Sequence, residues 1–253
     1  MSNPTLRTTE RAGIITQSRE ELITSQAPRH VRASTIAIDG PAASGKSVVG
    51  AMIAARLGYR FLDTGAMYRA VTWVALQRGI DVRDASAVGA FAASLSIEVH
   101  LGEGAAIEPT GVSVDGVDVT SHLREPGVEA NVSLVSRVAG VRQALVRIQR
   151  RIARTGRVVM AGRDIGSIVL PDADLKVYLD ASREVRARRR AGQLRAAGEQ
   201  PDVDALVADL ARRDGIDSNR DVSPLTAAHG AVIIKTDDLS IDEVVERILE
   251  AAA

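Results

Sequence analysis

The chain has 253 residues, 45% of them hydrophobic and 25% charged, and its 32 basic side chains are balanced by 32 acidic ones. That balance leaves no overall field to draw the protein to nucleic acid or to an anionic membrane. The lack of cysteine excludes disulfides, thiolate metal sites and thiol nucleophiles, and no apolar run approaches the roughly 18 residues of a bilayer span. The length suits one large domain, or a core carrying an insertion, and the composition is compatible with a reducing cytoplasm.

Residues 1–33 are polar and punctuated by Pro4, Gly13 and Pro28, the composition of a flexible extension outside the core. From residue 34 to residue 253 the pattern is that of a folded domain in which short apolar runs alternate with helical periodicity. The runs "STIAIDG" and "YRFLDTG" are predicted strands on either side of "KSVVGAMIAARLG", a predicted helix stopped by Gly58. Three later runs, "GRVVMAGRD", "DLKVYLDAS" and "GAVIIKTDD", are further strands. Each is short, apolar and ends in polar residues, as expected of a parallel sheet covered by helices on both faces. Between about residues 91 and 125 the rhythm changes. Alternation and glycine turns in "LSIEVHLGEGAAIEPTGVSVDGVDVTSHL" predict a small antiparallel insertion. The final stretch, "LSIDEVVERILEAAA", predicts a helix capped by Ser240 and Glu243, with Ile241, Val244, Val245, Ile248 and Leu249 on one face.

The segment "AIDGPAASGKSVVG" carries the clearest chemistry. Gly40, Gly45, Lys46 and Ser47 fit G-x-x-x-x-G-K-[ST] between a predicted strand and a predicted helix, the context that motif requires. Glycines let the backbone curl so that successive N–H groups face one anion, and the helix N-terminus adds partial positive charge. Residues 40–48 (Gly40, Pro41, Ala42, Ala43, Ser44, Gly45, Lys46, Ser47, Val48) are therefore the candidate ATP cradle. Lys46 is expected to reach the β and γ phosphates, and Ser47 to offer its hydroxyl to Mg²⁺. The chain has neither the Asn-Lys-x-Asp element of a GTPase nor a strand ending in adjacent acids as in motor ATPases.

Further charged groups follow the later strands. "FLDTGAMYRAV" supplies Asp63, Thr64 and Arg69, and a planar guanidinium there suits a phosphate. The same Asp63 or Thr64 also suits a helix N-cap. "AGRDIG" puts Arg163 and Asp164 at the carboxyl end of a strand, where open α/β sheets bind ligands. Downstream, "SREVRARRR" forms a dense basic helix, and "RRDGIDSNRD" places Arg213, Asp217 and Arg220 at helical spacing on one face. Such arginines suit the spread charge of a phosphoryl transition state.

Six segments in order, "IDGPAASGKS", "FLDTGAMYRAV", "VSVDGVDVTSHLR", "GRDIGSIVLPDA", "YLDASREVRARRR" and "RRDGIDSNRDVSPL", resemble the bacterial cytidylate kinase family. The resemblance covers about residues 34–249. It implies an adenylate-kinase-like, three-layer α/β/α fold with a central five-stranded parallel sheet, a small antiparallel β insert in the acceptor region and a short helical lid at about 183–200. It also implies transfer of phosphate from ATP, with Mg²⁺, to CMP or dCMP in pyrimidine nucleotide metabolism, by a cytoplasmic monomer. By motif, Asp63, Thr64, Arg69, Arg163, Arg213 and Asp217 correspond to acceptor-nucleotide contacts. Ser133, Arg142 and Asp164 correspond to the cytosine-reading set. Lys46, Arg69, Arg163, Arg186, Arg189 and Arg220 correspond to groups at the transferred phosphate. Cytosine offers an amino donor beside two acceptors, which a carboxylate with Arg and Ser complements, whereas uracil would set a carbonyl against the carboxylate. Ala161 stands where the family has an acid and Ser167 where it has threonine, and His229 and Lys235 depart from its acidic pattern near the last strand. Two other readings are a P-loop kinase of a different small acceptor and a catalytically silent nucleotide-binding module.

Overall fold

The computed structural model describes residues 32–101, 110–196, 198–218 and 225–253. Residues 1–31 of the expected extension and Arg220 lie outside the described residues, while Arg32 and Ala33, expected to belong to that extension, are part of the domain: both N–H groups donate to the Ala252 carbonyl, and Ala33 is buried in the core. The five expected strands form one parallel sheet. They are β1 (Thr35–Asp39), β2 (Arg60–Asp63), β6 (Val158–Ala161), β7 (Leu175–Asp180) and β8 (Val232–Lys235), in the spatial order β2-β6-β1-β7-β8. Side-chain alternation along β1 explains the layering. Ile36 and Ile38 face one side with Val49 and Ile53 of α1 (Lys46–Leu57) and with Val245 and Ile248 of α8 (Ile241–Ala252). Ala37 faces the other side, with Met67 and Val71 of α2 (Thr64–Gln77) and Leu145 of α5 (Ala139–Ala153). Burial on both faces is why these strands read as nearly continuous apolar runs. In α8 the capping box of Ser240 and Glu243 is formed as expected, but Ile241 leaves the apolar face, is 48% exposed and lines the cleft described below.

The insertion is a three-stranded antiparallel sheet of β3 (Ile97–His100), β4 (Gly111–Val114) and β5 (Val117–Asp118). Phe91, where alternation was read to begin, belongs instead to helix α3 (Ala85–Ser94), and the sheet starts at Ile97. Val112 and Val114 pack on Ala66, Ala70 and Val74. One helix, α2, thus carries both the main core and the insert. The remaining helices are α4 (Pro126–Ser136), α6 (Arg183–Ala196) and α7 (Val203–Ser218), and Ala187 of α6 and Leu210 of α7 pack against Ala42.

Parallel register brings the strand ends together. Asp63 pairs with Ala161, Ile38 pairs with Ala161, and Asp39 pairs with Tyr178. Asp39, Asp63 and the loop after β6 therefore leave the sheet along one carboxyl edge, the ligand edge of such folds.

Candidate active site

A cleft of about 640 Å³ runs along that edge, lined by Ser44, Lys46 and Ser47 of the cradle together with Arg69, Ser133, Arg142 and Asp164. The cradle is shaped by backbone conformation. Gly40 has φ +147°, and a Cβ there would meet the Leu179 carbonyl oxygen at 2.3 Å, so no larger residue fits. Ala43 (φ 59°) and Gly45 (φ 96°) also take left-handed conformations, the latter capping α1. Lys46 is buried, and its Nζ donates to the Pro41 carbonyl oxygen at 2.6 Å and to Ser44 Oγ at 3.2 Å. Burial, and then the neighbouring Arg163 charge, push the Lys46 ammonium well below its usual range. Arg186 braces the cradle from α6: Nη1 donates to the Ala42 carbonyl at 3.1 Å, and the guanidinium grips Asp214 at 2.7 and 3.1 Å. Arg189 is turned to Thr236, with Nη1 on its hydroxyl at 2.9 Å.

Asp63 caps a helix with one oxygen and meets the cradle with the other. Oδ1 accepts from the Gly65 N–H at 2.9 Å, capping α2, and Oδ2 accepts from Ser47 Oγ at 2.8 Å. Burial acts to raise its pKa, but Arg69 and the Ser47 hydroxyl outweigh that and hold the carboxyl below its usual range. Thr64 is committed inward, donating to the Ala161 carbonyl at 2.8 Å. Gly162 lets these elements touch, because a Cβ there would lie 2.7 Å from Thr64 Oγ1.

Arg163 and Asp164, adjacent in sequence, do not pair with each other. Arg163 Nε donates to Asp217 Oδ2 of α7 at 2.8 Å, whereas Asp164 is gripped by Arg142 of α5, both side chains being about 95% buried. Arg142 also lies 5.8 Å from the centre of the Tyr68 ring. Burial works against the Arg163 charge, yet Asp217 outweighs it and raises the pKa further. Arg213, which spacing put on one face with Asp217, turns to α4 and donates to Glu129.

Sequence reasoning missed two acids. Asp39 ends β1 inside the quoted motif, and its position at a strand terminus beside the cradle was the available signal. Its oxygens accept from the N–H groups of Ile165 and Gly166, each at 2.7 Å, at the start of a π-helical turn over Ile165–Val169. It thereby fastens the loop bearing Arg163 and Asp164 to the cradle strand. Asp39 is 2% exposed, and loss of hydration outweighs the two donors and pushes its pKa up to about 6. Glu129 of α4 sits among Arg69, Arg124 and Arg213. Arg124, five residues upstream, was the one local signal, while Arg69 and Arg213 come from distant parts of the chain. Burial opposes its charge, but the three arginines bring its pKa down to about 2.

Among the described residues no group of three His, Cys, Asp or Glu is arranged to hold a metal. A hydroxyl and a carboxylate joined at 2.8 Å, Ser47 and Asp63, form an oxygen donor pair that fits Mg²⁺, whose other ligands are ordinarily waters and substrate phosphates. No helix among the described residues is long and apolar enough to cross a membrane.

A strand–cradle–helix unit facing a basic pocket across one cleft is the arrangement of a P-loop kinase. The model of the cytidylate kinase family matches residues 36–253, and the chain belongs to that family. It is 48% identical over 221 residues to the cytidylate kinase of Symbiobacterium thermophilum, a match covering 86% of this chain and 95% of that one. It is 49% identical over 222 residues to a bifunctional pantoate ligase/cytidylate kinase of a Synechococcus strain, covering 88% of this chain but 41% of the relative. The chain thus spans about two fifths of the length of that relative. Among solved structures, an uncharacterized protein from Eubacterium ventriosum aligns with TM-score 0.50 at 11% identity, over 87% of this chain and 98% of that one, a likeness of fold alone.

Proposed function

We propose that this protein transfers the γ-phosphoryl group of ATP to CMP or dCMP, giving ADP and CDP or dCDP. One observation carries the acceptor assignment. The buried pair Arg142 and Asp164 lies with Ser133 in the same cleft as the cradle. A carboxylate held by an arginine offers an acceptor for the cytosine amino group, while Arg and Ser supply donors to its O2 and N3. Uracil at that carboxylate would leave a buried acceptor facing an acceptor, a loss of about 1–3 kcal/mol.

In this reading the backbone of residues 40–48 holds the donor phosphates, and Lys46 exchanges Pro41 and Ser44 for β and γ oxygens. Ser47, with Asp63 beside it, holds Mg²⁺, which supplies charge neutralisation on the phosphates when bound. Arg69, Arg163 and Arg213 receive the acceptor phosphate, Asp63, Thr64 and Asp217 border its sugar, and Arg220 belongs with these cations by motif. Arg186 and Arg189 stand on the lid segment, about residues 183–200, from which they reach the transferred group by leaving Asp214 and Thr236. Positioning and charge neutralisation carry such a transfer, and no strong side-chain base is needed. The chain from about residue 34 to residue 253 acts as the kinase domain, the sequence up to residue 31 as an extension outside it, and the enzyme works as a cytoplasmic monomer.

The test is a coupled assay with ATP, Mg²⁺ and CMP, dCMP or UMP. CMP and dCMP are expected to be phosphorylated well ahead of UMP. Equal turnover of UMP and CMP would defeat the base assignment, and no turnover of any monophosphate would defeat the kinase reading.

A further inference from the structure

Glu129 lies on the first turn of α4 with its side chain only 13% exposed. Oε1 accepts from Arg69 Nε at 3.0 Å and from Arg124 Nη1 at 3.2 Å, and Oε2 accepts from Arg213 Nη1 at 3.1 Å. The Glu129 main-chain carbonyl takes Arg213 Nη2 at 2.9 Å. The third donor of Arg213, Nε, lies 2.8 Å from Asp209 Oδ2 but without a hydrogen-bonding angle. Both terminal nitrogens of Arg213 are thus committed to one residue of α4, while Arg69 gives Glu129 only its Nε. Both arginines are among the cations assigned above to the acceptor phosphate.

We propose that Glu129 is the counter-ion of the acceptor-phosphate site, a positioning residue that holds Arg69 and Arg213 in place and yields Arg213 to the phosphate of the incoming nucleotide. The inference rests on the reading of Arg69 and Arg213 as phosphate ligands. Its physics is an exchange of anions. Three guanidinium groups gathered in a partly buried space repel one another unless an anion sits among them. Carboxylate and phosphate present similar oxygen pairs to the guanidinium fork, so one can replace the other without rebuilding the arginines. A phosphate monoester carries nearly two charges at neutral pH and wins Arg213 from a single-charged carboxylate, whereas singly charged anions compete poorly. The carboxylate thus keeps the site ordered and makes it selective for a dianion, at some loss of affinity for every phosphate.

The experiment uses the full chain, inorganic phosphate as the probe, and Glu129→Gln. Without phosphate the variant is expected to melt below wild type. Phosphate should then raise its Tm more steeply, with an apparent phosphate Kd about threefold or more below that of wild type, because the added anion takes the place of the lost one. Both KM for CMP and kcat should fall, since substrate and product phosphates are held more tightly. An unchanged phosphate affinity, or a raised KM for CMP without tighter phosphate binding, overturns the proposal and leaves Glu129 as a brace of α4. If the variant does not fold, Glu129→Asp, which withdraws the charge by one methylene, must shift phosphate affinity the same way by a smaller factor, and no shift overturns it. Wild-type turnover separates the two readings. Activity on CMP with no change of phosphate affinity in the variants defeats the counter-ion alone, whereas inactivity on every monophosphate defeats the site assignment and this inference with it.

Discussion

The two ends proposed for the cleft, donor and acceptor, are built from different materials. The donor end is a single loop, Gly40 to Ser47, whose shape comes from backbone angles that glycine and the start of α1 impose. The acceptor end is a set of ion pairs between side chains far apart in sequence: Arg142 with Asp164, Arg163 with Asp217, and Arg69 and Arg213 with Glu129. The difference has a physical reason. Phosphate is the same in every nucleotide, so backbone N–H groups recognise it without side-chain choice. A base must be told from its near relatives, which takes side chains whose donors and acceptors are held rigidly, and buried charges are held rigidly only when paired.

If the ends are separable in this way, substitutions at each should damage different quantities. The largest effect is expected from Lys46→Met, which should lower kcat/KM by about a thousandfold or more for every acceptor while leaving the ratio of CMP to UMP unchanged, measured in the coupled assay. A changed ratio would mean the donor end also reads the base. Next comes Asp164→Ala. CMP turnover should fall about a hundredfold and the preference over UMP should collapse. Because Arg142 is left buried without its carboxylate, the fold should also lose about 3 kcal/mol in denaturant titrations. ATP affinity, followed by calorimetry, should stay within about twofold. Loss of ATP binding would make Asp164 a structural residue shared by both ends.

Asp39 is where the two ends are fastened together, and its variant sharpens the comparison. Asp39→Asn keeps one acceptor for the N–H groups of Ile165 and Gly166 but loses the second and the charge, so kcat/KM for CMP should fall about tenfold with less effect on ATP. Wild type should show a decline in kcat/KM for CMP as pH falls through about 6, where Asp39 takes up a proton, and the variant should lack that inflection. Stability runs the other way. A carboxyl raised from 3.8 to about 6 binds protons more readily in the folded state, so its stabilising contribution is complete below about pH 3.8 and is lost as pH rises through 6. Thermal melts against pH should show that opposite slope in wild type relative to Asp39→Asn. The ionised form is thus kept for the loop it holds, at a cost in stability.

Much of this was legible in the sequence because it is local. Each of the five strands is an apolar run ended by polar residues, Gly58 stops α1 as read, and the cradle lies within one motif between a strand and a helix. The pairing of Asp63 with Ser47 was half legible, since capping and ligand roles were both open to it and the side chain serves the cap with one oxygen and the hydroxyl with the other. What escaped were partners. Arg163 and Asp164 sit side by side in the chain, yet in the loop after β6 they take different partners, Asp217 on α7 and Arg142 on α5. Arg213 was placed with Asp217 by helical spacing, but its donors go to Glu129.

The sequence alone therefore determined the elements, the phosphate cradle and, through six ordered segments, the family, because periodicity, turn chemistry and a contiguous loop are properties of neighbouring residues. Only the tertiary structure decided which carboxylate neutralises which arginine, that Asp39 clamps the loop after β6 to the cradle strand, and that Glu129 stands among Arg69, Arg124 and Arg213. Those choices depend on distances between residues up to 127 positions apart, as between Asp39 and Gly166, and a Coulomb or hydrogen-bond energy is a function of distance in space, on which spacing along the chain is silent.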